Sequence, residues 1–151
     1  MEMREDDLSS EATRSLLVLH LKSMHANSPL GSVFALDLSG LRVPEVTVWT
    51  AWDANDILGI GALNEIGNGN GELKSMRTHP NHLRKGVGAA LLTHMIAEAK
   101  TRGLRRLSLE TGSGPAFDPA LALYRKFGFI NGEAFADYPQ NAFNQFLHLT
   151  L

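Results

Sequence analysis

The chain has 151 residues, 44% hydrophobic and 20% charged, with a formal net charge of −2. That length suits one domain over residues 1–151, and the composition excludes a disordered chain and a basic face for nucleic acid or an anionic membrane. With no cysteine, disulfides, thiolate nucleophiles and cysteine-ligated zinc are excluded together, and a reducing, cytoplasmic setting is the expectation.

Residues 1–7 are acidic and polar, so no signal peptide is expected there, and no apolar run approaches the ~18 residues of a membrane span. Ser9 and Ser10 form an N-cap pair, with Glu11 in the first turn of a helix that runs to about Ala26. Ser28-Pro29 ends it. Residues 34–38 suit a helical turn, which Gly40 and Pro44 break. Residues 46–52, 57–66 and 72–78 read as three strands, with Gly59 and Gly61 leaving backbone room in the second. Residues 88–102 place Leu91, Leu92, Met95, Ile96 and Ala99 on one helical face, and Gly103 follows as the C′ residue. Residues 105–111 alternate as a strand. Asp118-Pro119 reads as an N-cap with proline behind it, opening a short helix that Gly128 ends. Residues 135–138 and 146–151 are the last strand candidates. Helices and strands in this order predict an α/β (α+β) layer fold. Trp49 and Trp52, on the first of the three strands, are expected in the core or at a dimer contact.

The informative segment runs from the third strand through Leu83-Arg84-Lys85-Gly86-Val87-Gly88 into a helix. The first helical turn carries N–H groups with no intrahelical acceptor, and the macrodipole puts partial positive charge there. Gly86 and Gly88 allow close approach of backbone to an anion, and Arg84 and Lys85 add formal charge. This is a phosphate cradle, although the same residues also suit a tight turn with a solvated Arg-Lys pair. G-x-x-x-x-G-K-S/T is absent, which leaves a P-loop NTPase unsupported. Gly88 is followed by Ala89, Ala90 and Leu91, so the dinucleotide fingerprint G-x-G-x-x-G is absent too.

On these residues the chain resembles the GNAT superfamily of acetyltransferases. The run Gly71-Glu72-Leu73-Lys74-Ser75-Met76-Arg77-Thr78-His79-Pro80, then residues 83–88, Leu91 and Leu92, is similar to the family's acetyl-CoA motif. Ala120-x-x-Leu123-Tyr124-x-x-Phe127-Gly128-Phe129 is similar to its second motif. Ser108-Leu109-Glu110-Thr111-Gly112 and Phe135-Ala136-Asp137-Tyr138, with His20, Met24, Ser28-Pro29 and residues 35–38, resemble the bacterial YsnE-like subgroup. The resemblance implies a single GNAT domain with a mixed, mostly antiparallel sheet flanked by helices. It implies acetyl transfer from acetyl-CoA to a primary amine, direct and within a ternary complex, without a metal. A small molecule or amino acid is the expected acceptor ahead of a protein, and the family allows a homodimer. An acyl-CoA sensor of the same fold is the alternative.

Carried over residue by residue, backbone at Met76, Arg77 and Thr78 meets pantetheine, and the N–H groups of Arg84, Lys85, Gly86, Val87, Gly88 and Ala89 meet the pyrophosphate. The family's usual Gln or Arg three residues before the first loop glycine is here Leu83, and a frequent Asn seven residues before the tyrosine is Phe117. Tyr124 matches a tyrosine near the CoA sulfur, suited to protonating the leaving thiolate; alternatively it is a core-edge aromatic beside Leu123 and Phe127. Glu72 is the first candidate base for the amine, with Glu110 its rival. Strand alternation predicts Glu72, Lys74, Met76 and Thr78 on one face unless a bulge intervenes. His20 and Met24, at i and i+4 on the first helix, are acceptor-pocket candidates together with Glu110, Tyr138, Arg77 and Asp137. His79 and His82 lack the further ligands of a metal site and are expected to be loop residues.

Overall fold

A computed structural model describes all residues, Met1–Leu151. Its first helix starts where Ser10 leaves the extended region and its hydroxyl accepts from Thr13 N–H at 3.1 Å. This is α1 (Glu11–Ala26), preceded by a short strand β1 (Glu2–Glu5). The polar residues of β1 give no apolar alternation, so the sequence offered no strand signal there; it forms through backbone pairing with the edge of the sheet. A second helical turn, α2 (Leu38–Leu41), begins later than residues 34–38 suggest, because the Asp37 carboxylate accepts from Gly40 N–H at 2.9 Å. Gly40 therefore lies inside the turn it was expected to break.

The three expected strands are β2 (Val46–Asp53), β3 (Asp56–Gly67) and β4 (Asn70–Thr78). A 3₁₀ turn (Pro80–His82) leads to α3 (Val87–Thr101), then β5 (Arg106–Thr111), α4 (Asp118–Lys126), β6 (Ile130–Asn131) and β7 (Gln145–Thr150). The seven strands form one sheet in the order β1-β2-β3-β4-β5-β7-β6, antiparallel throughout except for the β4–β5 pair. This is the expected mixed, mostly antiparallel sheet. No helix is long and apolar enough to cross a membrane.

Two local expectations fail for clear reasons. Residues 135–138 form a turn, not a strand: Tyr138 N–H donates to Phe135 O at 3.3 Å, and the two rings pack edge to face with centroids 5.2 Å apart. Aromatic packing, with Phe135 on Phe146 and Tyr138 on Phe34, replaces a ladder there, and β6 takes the edge position instead. Asp118 lies within the first turn of α4 rather than capping it; Phe117 is the N-cap residue and supplies no side-chain bond.

Each sheet face buries its own core. Against α1 and α2 lie Leu8, Leu16, Leu17, Leu41, Val48, Trp52, Ile60 and Ala62. Against α3 and α4 lie Trp49, Leu63, Leu73, Leu91, Leu92, Met95, Leu107 and Phe129. Both tryptophans are thus core residues. Full burial of each large side chain contributes roughly 1.5–3 kcal/mol, which makes these two cores the main source of stability. Asp6 pins α1 to the sheet: one carboxylate oxygen accepts from Thr13 Oγ1 at 2.9 Å and from Thr50 Oγ1 at 2.8 Å. Gly59 brings α3 close to β3, since a Cβ there would lie 2.7 Å from Val87 Cγ1 and 3.0 Å from Arg77 O. Gly59→Ala should therefore lower stability by about 1–3 kcal/mol in urea unfolding, because the Arg77 carbonyl is backbone and cannot swing aside. An unchanged midpoint would show that α3 has slack.

Candidate active site

β4 and β5 share only three register pairs, Asn70↔Arg106, Gly71↔Leu107 and Glu72↔Ser108. Beyond them β5 continues on β7, while residues 73–78 of β4 pair only with β3. The two parallel strands part and leave a cleft between their C-terminal ends. A bulge lies at the parting. Lys74 faces Ala62 and Arg77 faces Ile60, so Ser75 and Met76 together oppose Gly61. Ser75 sits at φ +57°, in the left-handed region that non-glycine residues seldom enter. Its hydroxyl is buried without a hydrogen-bond partner and lines the cleft.

The extra residue resets side-chain alternation. Glu72 and Lys74 stay together on the α1 side, as expected, but Arg77 joins them: its Nε donates to His20 Nδ1 of α1 at 2.9 Å. Met76 crosses to the α3 side, where its sulfur fills the space beside Gly61 and Met95. Thr78 faces the same way, towards Gly88.

At the far end of β4 the loop before α3 is exposed and twice left-handed, with Arg84 at φ +62° and Gly86 at φ +78°. Gly86 is the N-cap residue and offers no side-chain bond to the helix. No protein acceptor takes the N–H groups of residues 84–89; the first bonded amide is Ala90, to Gly86 O at 3.0 Å. A row of unpaired donors at a helix N-terminus suits a phosphate. Gly88 serves packing as well, because a Cβ there would meet Leu123 Cδ2 of α4 at 3.0 Å.

The cleft has a volume of about 140 Å³. Tyr124 of α4 reaches it with 7% of its surface exposed. Burial pushes its phenol up to about 12 against the pull of Arg77, so it stays protonated across the neutral range. Glu110 of β5 lines the same cleft. Burial pushes its carboxyl up to about 7; Lys74 opposes this, the Glu72 charge adds to it, and the Asn144 amide lowers it slightly. His20 is 5% exposed, and burial, with the charges of Arg77 and Lys74, depresses it to about 4. It is therefore neutral at pH 7, and since Nδ1 accepts from Arg77, its proton sits on Nε2.

Residues 12–129 match the acetyltransferase (GNAT) family. The chain is 48% identical over 147 residues to the uncharacterized N-acetyltransferase YsnE of Bacillus subtilis, covering 97% of both chains. It is 45% identical over 149 residues to the uncharacterized N-acetyltransferase YedL of Escherichia coli, covering 99% of this chain and 94% of that one. The chain belongs to the GNAT acetyltransferase family. Among solved structures, a candidate acyl-CoA N-acyltransferase from Klebsiella pneumoniae superposes with a TM-score of 0.83 at 26% identity, covering 99% of this chain and 97% of that one. A Bacillus subtilis acetyltransferase solved in complex with CoA shares the fold, with a TM-score of 0.74 at 19% identity, covering 99% of this chain and 98% of that one.

In this GNAT chain the structure gathers Tyr124, Glu110, His20, Met24, Met76 and Arg77 around one cleft. Glu72 stands apart. It is 4% exposed and does not line the cleft; its carboxylate accepts from Asn64 Nδ2 at 3.3 Å and from the Tyr138 hydroxyl, and Lys74 Nζ lies 3.5 Å away. Tyr138 is spent in that network too, accepting from Lys74 Nζ at 2.6 Å. Asp137 is exposed on the same turn. Leu83, where the family favours Gln or Arg, points to solvent, and Phe117 is buried at the cleft wall against Phe143. His79 and His82 pack on each other beside Lys85. Sequence reasoning missed Lys74, Ser75 and Phe34 as cleft residues; the positive φ of a serine and the approach of a distant loop leave no local signal. Lys74→Met should raise the Glu110 titration midpoint above about 7, because it removes a nearby cation and leaves the Glu72 charge unpaired. Carboxyl ¹³C NMR of Glu110 measures this; an unmoved midpoint would mean that the two groups do not interact.

Proposed function

We propose that this GNAT protein transfers the acetyl group of acetyl-CoA to a primary amine, both substrates being bound at once. The observation that carries the reading is the unpaired amide row of residues 84–89, which follows in the chain on a parted strand whose residues line the Tyr124 cleft. Those amides suit the diphosphate, and the open edge of β4 at Met76 and Thr78 suits the amides of pantetheine. The loop also leaves room, since a Cβ on Gly86 would meet no protein atom within 4 Å. The CoA complex of the Bacillus subtilis relative supports the same assignment.

Glu110 is the base in this reading, in preference to Glu72. It faces the cleft with a carboxyl raised to about 7, whereas Glu72 is already engaged by three donors. A base is most effective when its pKa lies near the working pH. Glu110 takes a proton from the ammonium, the freed nitrogen adds to the thioester carbonyl, and the C–S bond breaks. Tyr124 gives its proton to the departing sulfur and is reprotonated, through water, by the second proton that the nitrogen loses, while Glu110 releases its proton to solvent. Holding both reactants in one cleft supplies orientation, and no covalent enzyme intermediate is required. A cytoplasmic location belongs to this reading, since the reaction draws on acetyl-CoA.

Tyr124→Phe should lower kcat by about 10²–10⁴-fold while the CoA Kd from calorimetry stays at the wild-type value. A wild-type kcat would remove Tyr124 from the acid role. Gly86→Val must leave φ +78° and drag the amide row with it, so its CoA Kd should rise about tenfold or more. The kcat/KM of the wild type should climb with pH through about 7 as Glu110 loses its proton, and Glu110→Gln should abolish that limb.

A further inference from the structure

The charged groups at the cleft are not equally committed. Lys74 is neutralised: its Nζ lies 3.5 Å from Glu72 and donates to Tyr138 at 2.6 Å. Arg77 has no carboxylate partner at all. Its only side-chain hydrogen bond runs from Nε to His20 Nδ1, at 2.9 Å, and both Nη groups donate to nothing in the protein. The guanidinium is half-buried and lines the cleft. A charge removed from water without a counter-ion is costly, and a planar fork of free N–H donors is shaped for a carboxylate. Its orientation is held from behind, since His20 is itself buried in α1 and neutral, so it accepts without adding charge.

The anion that Arg77 awaits is not the diphosphate of the donor. The Ser75 bulge turns Arg77 towards α1, while the amide row of residues 84–89 opens at the start of α3. Around Arg77 the cleft is walled by His20, Met24, Asn27 and Phe34, which come from α1 and the segment after it. Glu110 stands across the parted strands, on β5. One wall therefore presents a free cation and the other a carboxylate.

From this dipolar arrangement we propose that the acceptor is an amine that also carries a carboxylate, an α-amino acid or close analogue, with its carboxylate on Arg77 and its amine towards Glu110. The inference rests on the acetyl-transfer reading above and names its substrate class. A peptide N-terminus lacks the α-carboxylate beside its amine, so this geometry disfavours it.

The test is thiol release from acetyl-CoA with the twenty amino acids, their carboxamides and the matching decarboxylated amines, together with calorimetry of the same compounds on the protein–CoA complex. At least one amino acid should exceed its own carboxamide in kcat/KM by about 100-fold. Arg77→Gln should shrink that ratio below about tenfold, mainly through KM, and Arg77→Lys should fall between them. An unchanged CoA Kd in both variants shows that the site still folds. Carboxamides or simple amines accepted as well as amino acids would overturn the proposal. So would discrimination unmoved by Arg77→Gln, or succinyl-CoA preferred over acetyl-CoA, which would put the anion on the donor. If no compound releases thiol although CoA binds, the acetyl-transfer reading fails, and calorimetry then decides this one: carboxylate-dependent binding lost in Arg77→Gln sustains it, and its absence overturns it.

Discussion

Two parallel strands that begin as hydrogen-bonded neighbours and then part leave a row of backbone donors and acceptors with no partner. Beyond Glu72 and Ser108, β4 and β5 are in that state, and the rest of the site is arranged around it. Buried backbone groups without partners are costly, so such an opening persists only where the surrounding fold enforces it. Here β5 is held away by its full pairing with β7, and β4 is bent by the bulge at Ser75 while remaining paired to β3. The bulge does two things at once. It leaves one edge of β4 unpaired, and it turns Arg77 out of the α3 layer and towards α1.

The electrostatics follow from this placement. Glu72, Lys74 and Tyr138 satisfy one another beside the cleft, and the turn carrying Tyr138 is held there by edge-to-face packing with Phe34 and Phe135. Because that cluster is self-contained, Lys74 only partly offsets the burial of Glu110, whose carboxyl stays near the neutral range. Burial raises Tyr124 as well, against the pull of Arg77, so its phenol stays protonated in the neutral range. In the proposed reaction these two groups serve as base and acid because their surroundings shift both from their ordinary values.

The scaffold transmits these positions through few contacts. Asp6 bridges Thr13 of α1 to Thr50 of β2, and Thr50 in turn accepts from Trp52 Nε1 at 2.7 Å, so α1 is clamped at its N-terminal end. That clamp sets where His20 meets Arg77, about two turns further along the helix. On the opposite face, Gly59 and Gly61 let Val87 and Met95 of α3 approach the sheet.

Much of this was legible in the residues. The periodicity of residues 88–102, the strands of residues 46–52, 57–66 and 72–78, the Ser10 cap and the glycine loop at residues 84–89 are local signals, because helix period, strand alternation and glycine placement act over a few neighbours. So was the family, carried by two motifs within residues 71–129. What the chain alone could not decide were the features made by distant segments meeting. The slip at Ser75 depends on how β4 pairs with β3, and a one-residue shift moves every later side chain to the other face. The choice between Glu72 and Glu110 depends on Tyr138, which arrives 66 residues downstream of Glu72 to occupy its carboxylate. The sequence named the ionisable groups; only tertiary packing determined which of them are paired, which are buried, and which are left facing the cleft, because desolvation and charge partners are properties of the space around a group.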